Sequence, residues 1–196
     1  MASRAELRHT LQMRRIFGAC LLIVAALTAA TPGHADQNDP RLDKLFERLD
    51  EIDSMSKGLE VVQKIWSIWY EHDEEGVTEA MRRGQLAMRS GELGAALSHF
   101  DKAARLAPKY AEAWNARATT HYHLGNYRKS LADIERTLDL EPRHFGALAG
   151  RGLCYRAMDK PEKALRAFEK SLEINPHQPG TQQRARKLRD EVEGRD

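Results

Sequence analysis

The side chains able to do chemistry are few, and their spacing does not suit it. His121 and His123 stand two apart, and on a helix that spacing aims them at different sides, which is poor geometry for holding a metal. The sequence contains neither a His-Glu-x-x-His pair nor a glycine-rich phosphate loop. Cys154 has no obvious activating partner, so a buried, inert thiol is expected. What does recur is arginine: Arg83, Arg117 and Arg151 lie 34 residues apart. Two readings are open for this ladder. One is an anion-binding stripe. The other, which is favoured, is internal pairing, for instance Arg117 with Asp133 on a facing helix. No catalytic residue, metal or cofactor is expected.

Other residues keep the same interval. Pro108, Pro142 and Pro176 are 34 apart, as are Phe100, Ile134 and Phe168, and Leu97, Leu131 and Leu165. Small residues follow in the same register: Gly84, Ala118 and Gly152, then Ala96, Ser130 and Ala164. A period of this length is the mark of a stacked repeat architecture. Each unit is predicted to be two antiparallel helices. Ser90-Gly91-Glu92, Leu124-Gly125-Asn126 and Asp159-Lys160-Pro161 form the turns, and proline stops each second helix. The small residues are expected where the helices cross, with the bulky ones filling the space between them.

This pattern resembles the tetratricopeptide repeat. Trp114 fits the opening of its consensus. Ala80 and Leu148 replace that tryptophan in the other units, the three arginines stand where leucine is expected, and Thr137 and Ser171 replace a small alanine. These departures are expected to bear on surface chemistry only. The resemblance implies an all-α solenoid of three repeats, 77–110, 111–144 and 145–178. Residues 179–196 would close it with a capping helix on which Leu188 and Val192 share a face.

Residues 36–76 lie outside the repeat. Leu42, Leu45, Phe46, Leu49 and Ile52 predict an amphipathic helix beginning near Arg41, after Asp39-Pro40. Val62, Ile65, Trp66 and Trp69 form the apolar face of a second helix that opens near Gly58. The run Leu42-Asp43-Lys44-Leu45-Phe46, followed by Ile65-Trp66-Ser67-Ile68-Trp69 ahead of repeats, resembles small exported tetratricopeptide proteins of alphaproteobacteria, which implies a non-catalytic role in the cell envelope. The hairpin carries five basic and twelve acidic residues, against 22 and 16 from residue 77 onward. Attraction is therefore expected between hairpin and array, with burial of the tryptophans counting for more. Core residue and exposed partner anchor both remain open for Trp66 and Trp69.

Residues 1–35 read as a secretory signal peptide. Arg4, Arg8, Arg14 and Arg15 precede an apolar run, and Gly33 and Ala35 offer small sites for cleavage after Ala35. The chain is therefore expected in the periplasm. The alternative is a membrane-tethered adaptor whose signal stays uncleaved, although the apolar run is short for a span of about 20 residues. Cys20 precedes most of that run, which argues against lipidation. The segment holds four arginines and one glutamate, so the remainder carries 27 basic and 28 acidic side chains, and no nucleic-acid partner is expected.

By the repeat's own pattern, the inner face would present Arg82, Gln85 and Arg89, then Asn115, Thr119, Tyr122 and His123, then Arg156. Its donors and slight positive bias suit a peptide or protein partner of acidic character. One subset of these repeats clamps a terminal carboxylate with lysine, asparagine and arginine. The matching places here are Met81 and Gln85, then Ala116, then Gly146 and Gly150, and none matches in kind.

Overall fold

The structure, a computed structural model, describes residues 37–194. The predicted signal segment, its cleavage site and the tether alternative fall outside the described residues. Nine helices are present among the described residues: α1 (Arg41–Asp50), α2 (Met55–Tyr70), α3 (Glu75–Arg89), α4 (Leu93–Leu106), α5 (Ala111–His123), α6 (Tyr127–Leu140), α7 (Phe145–Ala157), α8 (Pro161–Ile174) and α9 (Pro179–Glu193). Consecutive helices pack as neighbours from α3 to α9, and α5 also touches α7, so the first helices of successive repeats share one face. None is long and apolar enough to cross a membrane.

The repeat interval has a steric origin. An added Cβ at Gly84 would stand 2.5 Å from the Phe100 ring, and one at Gly152 would stand 2.5 Å from Phe168. In the middle repeat the crossing residue is Ala118, which has a Cβ, and the bulky residue 16 positions later is the smaller Ile134. All three bulky residues are buried. The size of one partner is thus tied to the size of the other, as close packing demands.

The turns repeat as well. Gly91 and Gly125 take left-handed backbone, with φ of 75° and 74°, and Asp159 occupies the equivalent place with φ of 55°. In each turn the following amide reaches back into the helix just ended: Glu92 to the Ala87 carbonyl, Asn126 to His121 and Lys160 to Tyr155, all at 2.9 Å. This is a helix end of the left-handed type. Asp159 meets the geometry at a cost that glycine avoids.

The non-consensus polar residues are not confined to surface chemistry, contrary to expectation. Thr137 and Ser171 are fully buried, and their hydroxyls donate to the carbonyls of Asp133 (2.9 Å) and Phe145 (2.7 Å). Arg117 is largely buried and pairs bidentately with Asp133, at 2.9 and 2.7 Å, and with Asp101 at 2.8 Å. Its guanidinium lies 4.6 Å from the Trp114 ring centre. Arg83 pairs instead with Glu79 on its own helix. The Cys154 thiol is buried beside the Ser130 hydroxyl, and burial pushes its pKa up.

The N-terminal hairpin docks by aromatic contact. Trp69 is 1% exposed, and its ring stacks on His144 with centroids 4.1 Å apart. Its carbonyl accepts the Tyr110 hydroxyl at 2.8 Å. Gly58 lets α2 approach the His177 ring, which an added Cβ would meet at 2.2 Å. The expected charge attraction includes a pair across this junction, Arg143 with Asp43 at 2.7 Å, and both partners are substantially exposed. Such a pair is worth at most about 1 kcal/mol, less than the burial of one tryptophan.

Candidate inner-face groove

The first helices of the first two repeats and α2 enclose a cavity of about 560 Å³. Trp66 and Tyr70 form one wall, stacked on each other at 5.5 Å. Gln85, Met88 and Arg89 from α3 and Glu112, Asn115, Ala116 and Thr119 from α5 line the rest, with Phe100 and Gly146. A second cavity of about 280 Å³ continues from it, since Asn115 and Thr119 line both. Tyr122, His123, Leu153 and Gly150 border it, and Arg184 reaches in from α9.

Six of the eight residues expected on the inner face meet here: Gln85, Arg89, Asn115, Thr119, Tyr122 and His123. Arg82 and Arg156 line neither cavity. Arg82 is committed to Glu79, with bonds of 2.8 and 2.9 Å one helical turn away. Arg156 is exposed in the last turn of α7. The positive contribution from the third repeat's first helix is therefore absent, and Arg184 of the capping helix supplies a cation in its place.

A buried polar network underlies the first cavity. The His144 Nδ1 accepts the Ala147 amide at 3.0 Å, so its proton sits on Nε2, which donates to Glu112 Oε2 at 3.0 Å. The Asn115 amide donates to the same oxygen at 2.9 Å. The second carboxylate oxygen has no partner among the described residues and is left to the cavity. Burial, reinforced by the nearby Glu112 carboxylate, pushes the Tyr70 phenol above its usual pKa, so it stays protonated. A buried charge held by two donors makes a rigid floor. Among the described residues no cluster of histidine, cysteine and carboxylate could hold a metal ion.

Sequence reasoning left Trp66 open as core residue or partner anchor, and missed Tyr70 as groove wall, Glu112 as floor and Arg184 as rim. The spacing of Trp66 and Tyr70, one turn apart, was legible, but the surface they would face was not. Trp69 resolves to the core, whereas Trp66 is half-buried with its ring at the cavity. Gly146, one of the places a carboxylate clamp would use, lies under the Trp66 ring, which an added Cβ would meet at 2.7 Å. The hairpin thus fills space that a clamping side chain would need.

Residues 111–144 and 146–178 each match the family description of the tetratricopeptide repeat. A tetratricopeptide-repeat-containing protein of Rhizobium etli is 36% identical over 99 residues, which is 50% of this chain and 48% of that protein. The chain thus spans about half the length of this relative. Among solved structures, the first repeat domain of Spaghetti (RPAP3) bound to the HSP90 peptide SRMEEVD superposes with a TM-score of 0.59. It shares 20% identity, over 61% of this chain and 95% of that one. The TPR2B-domain:pHsp70-complex of yeast Sti1 gives a TM-score of 0.57 at 17% identity, over 60% of this chain and 99% of that one. At these identities the likeness establishes the fold.

Proposed function

We propose that this chain, a protein of stacked tetratricopeptide repeats, is a non-catalytic scaffold that holds a peptide or protein partner in its inner-face groove, in the periplasm and in the service of the cell envelope. The observation that carries the reading is the pair of adjoining cavities that share Asn115 and Thr119. Together they form a trough with an aromatic wall, Glu112, Asn115 and Thr119 on its floor and Arg89 and Arg184 at its margins. An extended or helical segment with some acidic residues fits such a surface. The peptide named with the RPAP3 structure supports this, since SRMEEVD is acidic and is bound to a domain of the same fold. The mode of binding must differ from a carboxylate clamp, because Gln85, Ala116 and Gly146 stand at clamp positions and Trp66 covers the last. Export rests on the basic start, apolar run and small residues of positions 1–35.

A photo-crosslinking side chain placed at Gln85 in living cells tests the groove. A discrete adduct is expected that Thr119→Arg abolishes and Arg128→Gln, on an exposed face of α6, leaves intact. Adducts indifferent to Thr119→Arg would refute the groove. Osmotic-shock release followed by N-terminal sequencing tests export. A chain beginning at Asp36 is expected, and an intact Met1 on membranes would favour the tethered alternative.

A further inference from the structure

The middle repeat provides an internal control for the third. Arg117 is saturated by Asp133 and Asp101 and lies over Trp114. Thirty-four residues later, Arg151 holds the same place in α7. There Ala167 replaces Asp133 and Leu148 replaces Trp114. Glu135 replaces Asp101 but makes no bond to Arg151 among the described residues. In place of carboxylates, Arg151 shares a cavity of about 300 Å³ with Lys163, Arg166 and Lys170 of α8, beside Tyr155. No acidic side chain lines it. Of the nearby carboxylates, Glu169 is engaged outside the cavity, with Arg189 at 2.7 Å, while Glu173 pairs with Lys170 at the end of the row, an exposed pair that an incoming carboxylate can displace. None of its lining residues borders the inner-face cavities.

We infer that this cation-lined groove between α7 and α8 is a second binding site, for an acidic polypeptide segment. The three α8 cations lie at i, i+3 and i+7, one stripe about 10 Å long at 1.5 Å per residue. That length exceeds a single phosphate group and matches carboxylates repeated over two helical turns. Arg151 lies at the side of the stripe as a guanidinium without the internal carboxylates of its counterpart, ready for a bidentate pair. The loss of Asp133's equivalent thus turns a structural ion pair into an open anion site.

The probe is a fluorescein-labelled fourteen-residue peptide with glutamate at i, i+3 and i+7, read by anisotropy against the purified chain at low salt. Arg151→Gln with Arg166→Gln is expected to weaken binding by about tenfold. Ala167→Asp restores the carboxylate that quenches Arg117, and a loss of about fivefold is expected with an unchanged thermal melt. Arg186→Gln with Lys187→Gln removes the same charge from α9 and should change affinity by less than about twofold. Four results would overturn the assignment. One is an unaltered affinity in both the Ala167→Asp and the Arg151/Arg166 variants. Another is an equal loss in the α9 variant, which would mean diffuse charge attraction. A third is pyrophosphate binding as tightly as the peptide, which would mean a small-anion site. The last is concentration-dependent self-association abolished by Ala167→Asp, which would mean a second copy is the occupant.

Discussion

Substituting Gly84 by alanine isolates the steric rule behind the repeat. An added Cβ would stand 2.5 and 2.7 Å from two carbons of the Phe100 ring, where ordinary contacts lie near 3.4–4 Å. The ring must shift by about 1 Å, and overpacking of that kind costs about 1–3 kcal/mol. Alanine returns about 1 kcal/mol of helix propensity, so a net loss of about 0–2 kcal/mol is expected. Phe100→Ile alone leaves space over Gly84 and should cost about 1–3 kcal/mol. The double variant copies the Ala118–Ile134 pair that the middle repeat already uses, so the two changes should offset each other. A coupling of at least about 1 kcal/mol is expected between residues in contact. Urea denaturation of the four proteins, followed by circular dichroism, measures it. Additive effects would refute the claim that crossing residue and plug are matched in size.

Three further outcomes follow from the same structure. Phe168→Ala removes a fully buried ring that packs on Gly152, Ala164 and Leu188 and should cost about 3–5 kcal/mol in denaturant melts, whereas a neutral result would contradict its place in the core. Asp159→Gly relieves a left-handed aspartate and should stabilise the chain by about 0.5–1 kcal/mol, seen as a higher melting temperature. Burial holds the His121 imidazole below its usual pKa, with Asp133 and Asp101 opposing the shift and Arg117 and Lys129 adding to it. Protons then bind the unfolded chain more readily, so His121 contributes stability above about pH 6.5 that declines as pH falls below it. The stability difference between wild type and His121→Asn should therefore vary between pH 7.5 and 5.5, and a constant difference would count against the shift.

The helical order was legible because it is written in local spacing. Glycines and prolines at 34-residue intervals fix where helices stop, and an amphipathic stripe fixes where α1 and α2 lie. Legibility faded where distant residues meet. Nothing local in Gly58 announces a histidine ring 119 positions away, and nothing in Gly146 announces Trp66. The same holds for chemistry. Arg117 was traceable to Asp133 because the repeat puts their helices together. Arg82, expected on the inner face, pairs with Glu79 one turn away on its own helix and lines neither cavity. Thr137 and Ser171 read as surface departures because a polar residue type ordinarily signals exposure. Their hydroxyls reach main-chain carbonyls, which lets them be buried at little cost.

The hairpin changes what the inner face is able to recognise. A groove made from repeats alone is lined by helix-borne polar side chains, and a ligand is held mainly by hydrogen bonds and charge. Here α2 brings Trp66 and Tyr70 to one edge, while its anchor Trp69 is locked on His144 and, through it, on Glu112. The wall and the floor therefore share one support. Loosening Trp69 would disturb both the aromatic wall and the orientation of the Glu112 carboxylate, even though Trp69 does not line the cavity. Trp66 projects from the same helix turn and packs edge-on against Trp69, His144 and Phe145, while the rest of its half-buried ring borders the cavity. Both tryptophans thus hold the hairpin in position, and Trp66 in addition offers apolar surface beside the polar side chains of α5.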